Sequence, residues 1–279
     1  MSSPPHASPP RLFDRALHRK RLDRAARGYA NADFLQRRAA EDVAERLEPI
    51  MRDFPVAVDL SARGGAFREA LAASEAAARV GFLIEGDLSH RMLHGRAGAR
   101  VVLDEERLPF ADASLDLIVS TLGLHWTNDV VGALIQARRA LKPDGLFIGA
   151  FLGGTTLTEL RQSLVAAESE ILGGAGSRVS PFADVADAAG LLQRAGFSMP
   201  VADVDAVTVT YDHPLKLLFD LRQMGETSVL ADRHPKALTR TLLNRAFEIY
   251  FERFRNEDQR VPATFEIITL TGWAPPAAP

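Results

Sequence analysis

The chain has 279 residues, 47% of them hydrophobic and 25% charged, with a formal net charge of -3 and no cysteine. That size and composition suit one large α/β domain with a filled core. The near-balanced charge provides no global field for nucleic acid, and the lack of thiols excludes disulfides, thiolate metal sites and thiol catalysis.

No apolar run approaches the roughly 18 residues of a membrane span. Residues 1–10, rich in Pro and Ser without an apolar core, read as a disordered tail rather than a signal peptide. Residues 11–27 are strongly basic, with Arg11, Arg15, Arg19, Lys20, Arg21, Arg24 and Arg27 against Asp14 and Asp23. Leu12, Phe13, Ala16 and Leu17 form a partial apolar stripe there. Two readings stand: a solvated helix that docks by this stripe, or a basic amphipathic segment for an anionic membrane surface or acidic partner. Phe34, Leu35, Val43, Leu47 and Ile50 have the period of an amphipathic helix, with Asn31 or Asp33 as its cap.

Residues 56–60 read as a first strand, residues 61–65 (Ser-Ala-Arg-Gly-Gly) as a turn, and a helix follows through Leu71. Residues 80–84 give a second strand that closes on Glu85-Gly86-Asp87-Leu88-Ser89. Asp87 either meets a ligand or caps a following helix. His90 and His94 share a helical face, but a metal site would need a third ligand. The apolar runs at 101–103 and 115–119 end on Asp104-Glu105-Glu106 and on Ser120-Thr121, as two buried parallel strands would. Open α/β sheets bind ligands past the carboxyl ends of such strands.

Asn128 or Asp129 starts a helix that stops at Pro143, and Asp144-Gly145 turns into a strand at 146–152. Gly153-Gly154-Thr155-Thr156 reads as a substrate-facing turn or as a plain connection with Thr as N-cap. Residues 173–180 are a lid candidate, and residues 182–197 a helix ending in a Gly turn. Strands at 201–211 and 263–273 form an antiparallel pair, with helices at 214–224 and 235–253 inserted between them.

The run from Asp104 through Leu108-Pro109-Phe110 to Asp116 and Ser120 resembles the corresponding motifs of class I S-adenosylmethionine-dependent methyltransferases. The likeness continues through Leu124-His125-Trp126, Asn128-Asp129, Leu141-Lys142-Pro143-Asp144-Gly145, Phe151-Leu152-Gly153-Gly154-Thr155-Thr156-Leu157, Ser180-Pro181-Phe182, Met224-Gly225-Glu226 and Val261-Pro262-Ala263-Thr264-Phe265-Glu266. Taken together, these motifs are similar to a narrower family, the methyltransferase-like assembly factors of respiratory complex I and their bacterial relatives.

The resemblance implies a Rossmann-like α/β fold with a seven-stranded, mostly parallel sheet and helices on both faces. It divides the chain into a tail (1–10), a helical segment (11–54), a methyltransferase-like domain (55–273) with a helical insertion at about 213–255, and a second tail (274–279). It implies S-adenosylmethionine as cofactor, held by Asp59, Ser61, Arg63, Gly65, Asp87, Leu88, Asp104, Glu105, Ser120 and Leu122, with Glu85 in reserve for Asp87. Acceptor-side candidates are His125, Trp126, Thr155, Arg161 and Glu226; no metal ligands are assigned.

One departure stands out. The usual acid-x-Gly-x-Gly-x-Gly appears here as Asp59, Ser61, Arg63 and Gly65, and the Arg63 side chain has three destinations: solvent, the cofactor's carboxylate, or the pocket itself. Three functions follow: a methyltransferase of unknown acceptor, a complex I assembly factor that hydroxylates a subunit arginine, or a non-catalytic binding protein. The expected location is the bacterial cytoplasm, peripheral to the inner membrane if the basic segment binds there.

Overall fold

In a computed structural model the described residues are 11–182, 184–233 and 238–277. The expected tail at 1–10, Pro235 at the expected start of the second inserted helix, and the last two residues lie outside them.

Among the described residues, seven strands form one sheet in the order β3-β2-β1-β4-β5-β7-β6. They are β1 (Phe54–Asp59), β2 (Val80–Asp87), β3 (Ala99–Val102), β4 (Leu115–Thr121), β5 (Leu141–Leu152), β6 (Ser198–Tyr211) and β7 (Val261–Trp273). The first five run parallel, and β7 is antiparallel to both β5 and β6. The α-helices described are α1 (Arg15–Ala25), α2 (Phe34–Leu47), α3 (Ala66–Ala73), α4 (Val130–Ala140), α5 (Thr158–Leu172), α6 (Val185–Ala195), α7 (Pro214–Met224) and α8 (Arg240–Phe254).

Strand β4 shows why the sheet is covered on both faces. All its residues are buried, and successive side chains point to opposite faces. Leu117 and Val119 join α2, α3, α5, α7 and α8 in one core, while Ile118 joins α4 and α6 in the other. Each such fully buried side chain contributes about 1.5–3 kcal/mol. Asp116 survives inside this strand because its carboxylate accepts from Val56 N–H at 3.0 Å and from Lys142 Nζ at 2.9 Å.

Several expectations are corrected. The run at 101–103 is an edge strand with Val102 exposed, and β2 separates it from β1 and β4. Its apolar residues cover only one side. No helix follows Asp87; residues 90–95 form turns, and His90 and His94 are exposed there. Pro143 does not delay β5, which begins at Leu141 and carries an irregular register opposite Leu115 and Leu117. The N-cap of α5 is Leu157 in a left-handed conformation, not a threonine, because the threonines are bonded elsewhere: Thr155 Oγ1 donates to Glu266 Oε2 at 2.6 Å and Thr156 Oγ1 to Glu266 O at 3.3 Å.

The stretch at 173–180 is fastened by the fully buried Glu168, which accepts from Gly176 N–H at 2.8 Å and from Arg178 Nε at 2.7 Å. Ala274 belongs to the domain rather than the tail: it is buried, and its N–H donates to Gly145 O at 2.8 Å. The stripe expected at 12–17 docks by half: Phe13 is buried with Leu17 packed beside it, Leu12 and Ala16 are exposed, and α1 also buries His18, Leu22 and Ala25.

Candidate functional site

The carboxyl ends of β1, β2 and β4 meet under α1. After Asp59 the chain turns through Arg63, Gly64 and Gly65, all at positive φ (26°, 81° and 83°). The glycines adopt this freely, but at Arg63 it costs of order 1 kcal/mol or more in strain. Arg63 N–H donates to Asp87 Oδ2 at 3.2 Å, and Ala62 N–H to Gly86 O at 2.9 Å, which ties the turn to β2.

The solvent destination for Arg63 is overturned, because its side chain is only 2% exposed. The guanidinium pairs with Glu226 Oε1. Glu226 Oε2 accepts from His125 Nε2 at 2.9 Å and from Trp126 Nε1 at 2.8 Å. Three acceptor-side candidates thus form one cluster around Arg63. Burial works to raise the Glu226 carboxyl, but the Arg63 guanidinium and His125 outweigh it and hold Glu226 well below the usual carboxylate range. Gly225, the left-handed cap of α7, turns Glu226 inward.

Other acids line the same edge. Asp87 accepts from Ser89 N–H at 2.7 Å, and burial pushes its carboxyl up to about 6. Asp59 accepts from Ser61 N–H at 3.2 Å, and burial pushes it up to about 8. Glu85, the reserve candidate, is already paired with two cations, Arg68 and Arg96, each at 3.0 Å. Asp104 and Glu105 both accept from Arg15 Nη2 on α1. Ser120 and Ser61 share a hydroxyl contact at 3.2 Å. Leu88 packs under Leu22, Ala25 and Tyr29, and Leu122 enters the core beside α2.

Arg161 and Thr155 stand apart from this cluster: Arg161 donates to Thr158 on its own helix, and Thr155 to Glu266. Among the described residues no group of three or more His, Asp or Glu has metal-binding geometry.

Sequence reading missed Arg15, His18, Gln36 and Arg96. Gln36 Nε2 bridges the loops by donating to Ser61 O at 3.1 Å and to Thr121 O at 3.0 Å. Arg96 covers the turn, its guanidinium donating to Gly64 O and filling the place a side chain at Gly65 would take. Arg15, His18 and Leu22 recur at i, i+3 and i+7, a helix-face period that was there to be found once polar residues were admitted to the buried face.

The donor set fits the adenosyl portion of S-adenosylmethionine. Asp87 sits at the end of β2, the acids follow β3, and the turn is glycine-lined. Arg15 pairs with Asp104 and Glu105, and Arg96 caps the turn at Gly64. Beside this cluster, an apolar groove of about 300 Å³ lined by Phe13, Leu124, Phe151 and Phe182 reaches His125.

Strand order and edge acids together define a methyltransferase-like protein of the class I, S-adenosylmethionine-dependent kind. Residues 58–149 match a family described as Methyltransferase domain. The crystal structure of the YcgJ protein from Bacillus subtilis shares the fold, with TM-score 0.57 at 15% identity over 86% of this chain and 99% of that one.

At higher similarity stand proteins named arginine-hydroxylase NDUFAF5, mitochondrial. The Danio rerio protein is 40% identical over 95% of this chain and 83% of its own length, and the human one 40% over 97% and 80%. A malonyl-[acyl-carrier protein] O-methyltransferase from Methylovorus is 34% identical over 95% of this chain and 91% of its own. The chain belongs to the NDUFAF5 family of the class I methyltransferase superfamily.

Proposed function

We propose that the chain is an S-adenosylmethionine-dependent methyltransferase whose cofactor lies along the edge formed by Asp59, Asp87 and Asp104-Glu105. The observation that carries this reading is the convergence of those acids, from three different strand ends, on one glycine turn. Asp87 would hold the ribose hydroxyls, Asp104 and Glu105 the adenine side, and the cofactor supplies an electrophilic methyl group on a sulfonium. The chain's own part is to bind, orient and exclude water; Leu124, Phe151 and Phe182 shape the approach of the acceptor.

Calorimetric titration with S-adenosylhomocysteine tests this. Wild type is expected to bind in the micromolar range, and Asp87→Ala to bind at least tenfold more weakly through loss of a charge-assisted pair of hydrogen bonds. No binding by wild type would refute the methyltransferase reading.

A second reading is modification of an arginine side chain on a respiratory complex I subunit. Two observations favour it: Glu226 already holds a guanidinium, that of Arg63, and the relatives at 40% identity are named arginine-hydroxylases. A protein acceptor suits either reading.

The exposed cations of α1, Arg19, Lys20 and Arg24, suit an anionic surface next to such a partner. Binding to phosphatidylglycerol vesicles should weaken several-fold between low and physiological salt and be lost in an Arg19→Glu, Lys20→Glu, Arg24→Glu variant. Salt-independent binding, or none at low salt, would refute membrane contact.

A further inference from the structure

On the inner side of α1 two buried nitrogens have no hydrogen-bond partner, Arg15 Nε and His18 Nε2. Buried donors without acceptors cost about 1–3 kcal/mol each and are uncommon. His18 is 1% exposed, with its ring against Trp126 at 5.2 Å between centroids.

Its tautomer follows from its neighbour. Arg15 Nη1 faces His18 Nδ1 at 3.5 Å, and a guanidinium can only donate, so Nδ1 accepts and Nε2 carries the proton. Burial and the nearby Arg63 and Arg15 hold the ring well below its ordinary pKa, hence neutral. His18 is therefore a fixed N–H donor rather than a base.

Two further orphan groups, Thr227 Oγ1 and Ser228 Oγ, lie on the segment that follows Glu226. That segment is paired to the start of α1 through Asp14 N–H to Val229 O at 2.8 Å and Ala231 N–H to Leu12 O at 2.9 Å. Unmet polar groups thus gather on the two segments that close over the same site, beside the Arg63–Glu226 and Arg15–Asp104 pairs.

The geometry points to an oxygen-binding subsite under α1, in which His18 Nε2–H, with Arg15 Nε–H beside it, donates to a carboxylate or carbonyl oxygen of the bound ligand. This makes His18 a positioning residue, and it rests on the reading of this edge as the ligand site. Two ligands present such an oxygen there: the amino-acid end of the cofactor, or the acceptor.

The test reads the His18 ring directly, by ¹⁵N and ¹H NMR of the full chain labelled at histidine. The protein is titrated with S-adenosylhomocysteine, with 5′-methylthioadenosine, which lacks the amino-acid end, and with acetate against a chloride control of equal ionic strength. A shift of the Nε2–H resonance with the first and not the second assigns the oxygen to the cofactor carboxylate. A shift with acetate alone assigns it to the acceptor.

If none of the three moves Nε2–H, the proposal is overturned. Should calorimetry show that the nucleosides do not bind, the cofactor reading fails while the acetate titration still decides this one. His18→Phe keeps a ring against Trp126 and removes the orphan donor, so thermal stability should hold. If the cofactor carboxylate is the partner, S-adenosylhomocysteine affinity should fall about tenfold with 5′-methylthioadenosine affinity unchanged.

Discussion

Replacing Glu226 with Gln should destabilise the protein by about 3–5 kcal/mol, the cost of leaving a buried cation without its partner. The pair is nearly sealed, with side-chain exposures of 2% for Arg63 and 7% for Glu226, so water cannot take over the role of the carboxylate. Glutamine keeps one carbonyl acceptor, which can still serve His125 and Trp126, so the amide NH2 is left facing the Arg63 guanidinium.

Arg63→Gly should also destabilise, though by less. It removes the cation, relieves a non-glycine residue at φ 26°, and leaves Glu226 with two donors. Combining the two substitutions should recover at least about 2 kcal/mol relative to their sum, as contacting buried charges do. Denaturant unfolding of the four proteins measures this; additivity within about 0.5 kcal/mol would show that the pair contributes no coupling.

The second large effect is a pH-dependent gain from Asp59→Asn. Burial raises the folded-state pKa of Asp59 from 3.8 to about 8, so folding favours its protonated form. Between those values the unfolded chain binds fewer protons than the folded one, and stability falls as pH rises. Asparagine keeps the acceptor for Ser61 N–H without the charge.

The variant should match wild type near pH 4 and exceed it by about 2–5 kcal/mol at pH 8.5. Each pH unit separating the folded and unfolded pKa values is worth about 1.4 kcal/mol, reduced here by relaxation around the site. His18 acts in the opposite sense: its depressed pKa contributes stability above about pH 6.5 that is lost as pH falls. Subtracting wild type from variant at each pH cancels that contribution. An equal difference at pH 5 and pH 8.5 would contradict a buried, protonated Asp59.

Much of the fold was legible because it is written in apolar periodicity. The alternation that sends Leu117 and Val119 to one core and Ile118 to the other marks β4, and α7 begins at its N-terminal proline, Pro214. The places of Asp87 at the end of β2 and of Asp104 just past β3 were legible because a strand end is a definite place in such a sheet.

The α1 lid was not. Its inward face consists of Arg15 and His18 above Leu22 and Ala25, and hydrophobic patterning assigns such polar residues to solvent. The Arg63–Glu226 pair joins residues 163 positions apart, and no local rule links a glycine-turn substitution to the cap of a distant helix. Thr155 looked like a substrate group because its acceptor, Glu266, comes from the last strand.

If the acids under α1 hold the adenosyl group, a crystal structure of the protein soaked in S-adenosylhomocysteine will show it there. The nucleoside is expected between Asp87 and Asp104, with ligand contacts replacing those of Arg15 Nη2 to Asp104 and Glu105 while Arg15 Nε stays beside His18. Density for the nucleoside elsewhere, or an unchanged Arg15 pair and no nucleoside under saturating ligand, would contradict it.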